Sequence, residues 1–209
     1  MIRVLLVDDH AVVRMGFRML LANADIGVVG EAGDGEQACQ LYPRLHPDVV
    51  VMDLSMPGMG GLEAVRRLLA QDAKARVLAL SAHEDTAHPQ RMLRAGALGY
   101  LAKRSAPDEL IVAVKAVAAG ARYIDAQTAQ ALALAQIDDR AHPVDLLSER
   151  EFSVFIQLAR GQSVARIADI LSLSPSTVGT HLYHVKQKLG ASNQSELTLA
   201  ALRWGLLDP

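Results

Sequence analysis

Over its first 120 residues the sequence alternates short apolar runs with longer stretches of helical period, and this alternation constrains the fold more than any other feature. The runs are Ile2–Val7, Val28–Ala32, Val49–Asp53, Val77–Ser81 and Ala97–Ala102. The helical stretches cover about 11–22, 35–45, 61–72, 86–95 and 107–119. A strand buried on both faces reads as a continuous run of Val, Ile and Leu, because helices cover both sides of a parallel sheet. The expectation is therefore a doubly wound α/β domain around a five-stranded parallel sheet. Ser105 with Pro107 opens the last of these helices and Gly120 closes it.

The pattern then changes. Ala126–Ile137 is rich in Ala and Gln, and Asp138–Pro143 is charged and ends in proline. Residues 121–143 read as a linker whose first half is helical. From Val144 to Pro209 the strand signal disappears. Ser148 and Glu151 form a capping box, and Gly161 ends the helix they open. A short helix follows at about 163–171. Ser174 then caps a helix with Pro175 in its first position, closed by Gly190 after Leu189. Asn193 with Glu196 opens the last helix. The domains expected are 1–120, the linker 121–143, and an all-α four-helix domain over 144–209.

At 209 residues and 51% hydrophobic content the chain can bury two cores without cross-links. Cys39 is its sole cysteine, which excludes a disulfide framework and a cysteine-rich metal cluster and fits a reducing compartment. The opening apolar run is too short for a signal-peptide core, and no stretch of 18 apolar residues occurs. A cytoplasmic location without membrane contact is expected. The net charge of −2 gives no sign of nucleic-acid binding by itself.

In open α/β sheets, functional groups collect outside the carboxyl ends of the strands. Asp8 and Asp9 end the first run, Asp53 the third and Ser81 the fourth, while Lys103 follows the fifth. Strand order in such a fold can bring these four strands side by side. Three gathered carboxylates repel one another unless a cation neutralises them, and oxygen ligands with open positions suit Mg²⁺. A carboxylate can act as nucleophile and form an aspartyl phosphate, with the metal and Lys103 offsetting charge on the transferring group. Singly, each residue has an ordinary explanation as a helix cap, a turn residue or a solvated charge. Jointly, they need to stand at strand ends together.

Leu6-Val7-Asp8-Asp9-His10, Asp53-Leu54-Ser55-Met56-Pro57-Gly58, Ser81-Ala82 and Gly99-Tyr100-Leu101-Ala102-Lys103 resemble the receiver domain of two-component response regulators, which has the flavodoxin-like topology. The resemblance covers residues 1 to about 120. It implies that Asp53 accepts a phosphoryl group from a sensor histidine kinase. It implies also that Asp8, Asp9, Asp53 and the backbone carbonyl of Ser55 hold Mg²⁺, that Ser81 and Tyr100 form the switch pair, and that Lys103 contacts the phosphate. Ser55 and His83 border the site and bear on water access. A rival motif is Gly33-Asp34-Gly35-Glu36-Gln37-Ala38, which fits a dinucleotide fingerprint with Asp53 20 residues beyond Gly33. It starts at the second strand and leaves Asp8, Asp9 and Lys103 without a role. A phosphohydrolase using Asp53 is the other enzymatic reading, but such enzymes usually place a second carboxylate where Ser55 stands.

In the last domain, two short helices and a longer one with a polar start outline a helix-turn-helix. Ile167, Ala168, Leu171, Val178, Leu182 and Val185 have the spacing of packed inner faces, and Trp204 is expected in the core. Ser176, Thr177, Thr180, His181, Tyr183, His184, Lys186, Gln187 and Lys188 are the candidate DNA contacts. His181 and His184 are three apart on one helix, but they lack the further ligands a metal site needs. Leu147-Ser148-Glu149-Arg150-Glu151, Ala159-Arg160-Gly161, Leu173-Ser174-Pro175-Ser176-Thr177-Val178 and Lys188-Leu189-Gly190 resemble the LuxR-type helix-turn-helix. With the receiver, the chain is similar to the NarL/FixJ subgroup of response regulators. That resemblance implies a transcription factor that binds double-stranded DNA and dimerises on phosphorylation or on DNA, by a rearranged surface near helices 86–95 and 107–119. Gly179, Tyr183 and His184 stand where the family often carries basic residues and Asn. Six basic and six acidic residues leave 144–209 neutral, so DNA binding by a single copy should be weak. The alternative is an output domain that binds protein.

Overall fold

The computed structural model describes residues 1–82, 87–105, 107–137, 146–171, 173–204 and 206–207. His83 and the charged linker segment 138–143 lie outside them. The apolar runs form parallel strands β1 (Ile2–Val7), β2 (Ile26–Ala32), β3 (Val49–Asp53), β4 (Val77–Ser81) and β5 (Gly99–Ala102). The helices between and after them are α1 (Ala11–Ala22), α2 (Gly35–Leu45), α3 (Gly61–Gln71), α4 (Ala87–Arg94) and α5 (Pro107–Ala118). Every residue of β3 and β4 is buried, which is why these strands carry no polar alternation.

The sheet has six strands rather than the five expected. A two-residue strand β6 (Tyr123–Ile124) pairs parallel with β5 at the edge, giving the order β2-β1-β3-β4-β5-β6. It lies inside the segment read as linker. Two residues are too few to show a period, so nothing in the local sequence marks it. A helix α6 (Ala126–Ile137) follows, as expected. Asp125 caps it, accepting from the Thr128 N–H at 2.9 Å.

Two apolar layers cover the sheet. Leu62, Val65 and Leu68 of α3, with Ala38 and Tyr42 of α2, pack on one face. Leu21 of α1 and Leu110, Ala113, Val114 and Val117 of α5 pack on the other. From β1 the chain first goes outward to β2 and then returns across to β3. The point where strand order reverses therefore lies between β1 and β3, where such folds place their ligands.

The second compact unit is helical. It contains α7 (Glu149–Ala159), α8 (Val164–Leu171), α9 (Pro175–Leu189) and α10 (Gln194–Arg203). The capping box forms as the sequence predicts: the Glu151 N–H donates to Ser148 Oγ at 3.3 Å, and the Ser148 N–H donates to Glu151 Oε2 at 2.7 Å. Phe155, Ile167, Val178, Val185 and Leu197, each no more than 1% exposed, make its core. Trp204 packs on Phe155, their ring centroids 6.1 Å apart.

Candidate functional site

Strand ends build the acidic pocket. Asp8 directly follows β1, Asp53 ends β3, Ser81 ends β4, and Lys103 comes one residue after β5. The order of the four strands sets them side by side, and the backbone holds the alignment: Leu54 N–H donates to Leu80 O at 3.0 Å, and Lys103 N–H to Ser81 O at 2.7 Å. Asp8, Asp53 and Ser81 are each no more than 2% exposed.

Ligand-capable atoms of Asp8, Asp9, His10 and Asp53 all lie within 4.8 Å of one another. Lys103 Nζ stands 2.7 Å from Asp8 Oδ2 and 2.8 Å from Asp53 Oδ2. The Ser55 N–H donates to Asp53 Oδ1 at 3.3 Å. Two buried carboxylates, Asp8 and Asp53, thus share one ammonium, and the half-exposed Asp9 adds a third negative charge beside them. Burial raises the Asp53 carboxyl above its ordinary value. Lys103 and the Ser55 N–H pull it back, the Asp8 charge pushes it further up, and the net shift is upward. For Lys103, burial lowers the ammonium, the Asp53 and Asp8 charges raise it, and it ends above its ordinary value. A hard cation with oxygen ligands fits this donor set.

The structure gathers Asp8, Asp9, Asp53 and Lys103 as the sequence predicts and places Ser81 at the adjoining strand end. Tyr100, 1% exposed, belongs to the core with Met52, Ala79 and Met92. His10, present in the sequence motif but given no role there, joins the cluster, its Nδ1 2.8 Å from Asp9 Oδ1. Its place directly after the two acids is the signal that was available.

The rival glycine motif has another use. Gly35 opens α2 under the loop after β3, where a Cβ would fall 2.7 Å from Met59 O and 2.9 Å from Ala64 Cβ. Its N–H donates to Met59 O at 3.3 Å, and the Met59 N–H donates to Glu36 Oε2 at 3.1 Å. The motif follows β2 at the sheet edge, away from the crossover point. It packs protein against protein where a dinucleotide would need open space.

On α9, Ser176, Thr180, Tyr183, His184, Gln187 and Lys188 are exposed, and Thr177, His181 and Lys186 are half-buried. Ser174 Oγ caps the helix from Thr177 N–H at 3.1 Å and also meets the Ser176 and Thr177 hydroxyls. Both lysine ammonium groups find partners within the domain. Lys186 Nζ donates to Ser192 O at 3.3 Å, and Lys188 Nζ lies 2.6 Å from Oε2 of the buried Glu151. His184 Nδ1 is 3.5 Å from Glu151 Oε1. Burial pushes the Glu151 carboxyl up, but Lys188 and the Ser148 N–H outweigh it and hold the group below its ordinary value. Lys188, expected only as a DNA contact, thus ties the end of α9 to the start of α7, with His184 beside the same carboxylate.

Two protein families match the chain, one in each half. Residues 4–115 match the response regulator receiver domain, and residues 145–201 match the bacterial regulatory proteins of the luxR family. The chain is 45% identical over 211 residues to response regulator GacA of Pseudomonas viridiflava, covering all of this chain and 99% of that protein. It is 43% identical to response regulator UvrY of Escherichia coli K12, again over its full length and 97% of the relative. Among solved structures, a LuxR-family two-component response regulator from Aurantimonas sp. SI85-9A1 is 42% identical, with a TM-score of 0.63 over 65% of this chain and 97% of that one. RcsB of Salmonella enterica, bound to promoter rprA with the phosphomimetic BeF3−, is 25% identical, with a TM-score of 0.67 over 95% of this chain and 97% of its own. These relatives are regulators rather than enzymes, so the nicotinamide and phosphohydrolase readings fall away. No helix among the described residues is long and apolar enough to cross a membrane. The chain belongs to the two-component response regulators of the NarL/FixJ type, in which a receiver domain is joined to a LuxR-type helix-turn-helix domain.

Proposed function

We propose that this response regulator is a cytoplasmic transcription factor switched by a phosphoryl group on Asp53. The observation that carries the reading is the buried carboxylate of Asp53, within 4.8 Å of two other acids and 2.8 Å from Lys103. In the transfer, an Asp53 oxygen bonds to phosphorus as the phosphorus–nitrogen bond of a kinase phosphohistidine breaks. The electron pair leaves with the imidazole, which is then free to take up a proton. Lys103 holds positive charge against the phosphoryl oxygens, and the Ser81 hydroxyl donates to one of them. Asp8, Asp9, Asp53 and the Ser55 carbonyl would hold Mg²⁺, which when bound offsets the charge of the incoming group. Ser81 and Tyr100 form the switch pair. Their shift alters the surface near α4 and α5 and with it self-association. Two copies on DNA add binding energy through effective concentration, which a neutral helix-turn-helix domain needs.

In the helical domain, Ser176, Thr177, Thr180, His181, Tyr183, Gln187 and the partly engaged His184, Lys186 and Lys188 form the DNA-facing set. Genome-wide DNA capture with and without acetyl phosphate tests the whole reading. Donor-dependent enrichment at discrete promoter sites is expected. Recovery that ignores the donor, or recovers protein partners and no DNA, refutes it.

Gly179 supplies a sharper test of the interface. It is exposed on α9, and a Cβ there would meet nothing within 4 Å. Gly179→Lys should recover most of the ~1 kcal/mol that glycine costs a helix. It should also tighten DNA binding several-fold and steepen the log–log salt slope by about 0.9 per bound protomer. Gel shifts between 50 and 200 mM salt read both; an unchanged slope would place this face of α9 away from the phosphates.

A further inference from the structure

Asp8 has four polar groups besides its place in the sheet, and three are accounted for by the pocket or its strand. Its N–H donates to Ala32 O at 3.1 Å, Oδ1 accepts from the His10 N–H at 2.8 Å, and Oδ2 meets Lys103. The fourth, its backbone carbonyl, accepts from Arg14 Nη1 at 2.6 Å. Arg14 stands on the second turn of α1 and is 19% exposed at its side chain. Its Nε lies 3.2 Å from Oε2 of Glu31, whose other oxygen meets Arg18 Nη1 at 2.9 Å. Glu31 belongs to β2 and lies beside Leu6 in register, two residues before Asp8.

We propose that Arg14, anchored by Glu31, is the positioning residue that sets Asp8 and Asp9 for the divalent cation. The guanidinium is a rigid fork. One arm holds the carbonyl of the first acid and the other holds the neighbouring strand, so the start of the β1–α1 turn is fixed from the side opposite Lys103. The inference rests on the reading of the acidic pocket as a Mg²⁺ and phosphoryl site. Partners that orient metal-binding residues typically contribute 10–100-fold to affinity.

The sign of the effect separates positioning from charge. Arg14 is a cation close to a cation site, so by charge alone its removal would tighten Mg²⁺ binding. If it positions the acids, removal weakens binding. Titration calorimetry of the full chain with MgCl2, and labelling by acetyl phosphate over a range of Mg²⁺ concentrations, measure this directly. Arg14→Met should weaken Mg²⁺ binding about tenfold. The Mg²⁺ concentration for half-maximal labelling should rise to match, and the rate at saturating Mg²⁺ should stay within about threefold. Arg14→Lys keeps the charge but reaches only one of the two partners, so it should weaken binding to an intermediate degree; it also serves if the Met variant does not fold.

Unchanged or tighter Mg²⁺ binding in a folded Arg14→Met chain overturns the proposal, as does wild-type affinity in Arg14→Lys. A lowered melting temperature with unaltered Mg²⁺ affinity would show a merely structural role and overturn it equally. Failure of the underlying reading looks different: the unsubstituted chain would give no Mg²⁺ heat and no label on Asp53, and both would fall together.

Discussion

Asp53→Asn should abolish phosphoryl uptake, to at least about 100-fold below the unsubstituted chain with either acetyl phosphate or a phosphorylated kinase as donor. An amide oxygen at this position is a poor nucleophile, and no acyl phosphate can form on it. Because Asn keeps the shape of Asp, the loss is chemical and the fold persists. Stability should in fact rise. The folded protein raises the Asp53 carboxyl above its ordinary value, through burial and the nearby Asp8 charge, against the pull of Lys103. A group shifted in that direction contributes its stability below the unfolded value of about 4, and that contribution is lost as pH rises through the folded value. At neutral pH, without metal, the charged carboxylate is therefore a burden. Asparagine removes it, while Lys103 keeps Asp8 as a partner at 2.7 Å. Metal-free Asp53→Asn should melt higher than the unsubstituted chain at pH 7. The gain should shrink as pH falls toward 4. Mg²⁺ should close the gap from the other side, since ligand binding to the folded state stabilises the unsubstituted chain more. Label on the Asn variant would move the phosphoacceptor elsewhere. A melting temperature lower than that of the unsubstituted chain would mean the Lys103 pair outweighs burial.

The acidic pocket was legible because its chemistry sits where local pattern is strongest. Asp8, Asp53 and Ser81 each stand at the end of a continuous apolar run, and a run's end is easy to read. What joins them, the strand order, comes from fold-level regularity and not from any one segment. The residues that sequence reasoning missed act across elements. Arg14 is one of three arginines in the first 20 residues, and nothing local says that its fork reaches back to Asp8 and sideways to Glu31. Lys188 and His184 read as DNA contacts because their helix positions face outward. The third residue of α7, Glu151, arrives beside the last turns of α9 only through packing, and it draws both side chains toward itself. The strand β6 was hidden for a different reason: its pairing with Gly99 and Tyr100 is set by the edge of the sheet, while its own two residues carry no period. Local signals thus fixed the elements and the capping residues, and tertiary contact decided which charges point into the protein.

Gly61→Ala should disable the same pocket from the far side of its loop, and the contrast with Gly16→Ala makes the cause plain. Both glycines lie within helices of one domain, Gly61 at the start of α3 and Gly16 within α1, and neither has the positive φ that favours glycine. By propensity alone, each substitution should stabilise by up to about 1 kcal/mol. Gly16 is exposed, and a Cβ there meets nothing within 4 Å, so Gly16→Ala should realise that gain. At Gly61 a Cβ would lie 2.2 Å from Asp53 O and 2.9 Å from Leu54 Cα, and both are backbone atoms that cannot rotate away. The start of α3, or the end of β3, must therefore move by roughly 1 Å to restore ordinary contact. Overpacking of this kind costs about 1–3 kcal/mol, enough to cancel the propensity gain and reverse its sign. The displaced strand end is Asp53 itself, and the Gly61 N–H bond to Leu54 O at 3.1 Å carries the shift into the β3–α3 loop, which Leu54 begins. A misplacement of about 1 Å can lower the rate of a positioned reaction by 100-fold. The expected outcome is a lower melting temperature together with at least about tenfold slower labelling by acetyl phosphate at saturating Mg²⁺, while Gly16→Ala melts higher and labels normally. If Gly61→Ala labelled at the unsubstituted rate, the β3–α3 loop would be free to slide without disturbing the carboxylate, and the pocket would not be held in place by the close packing of α3 against it.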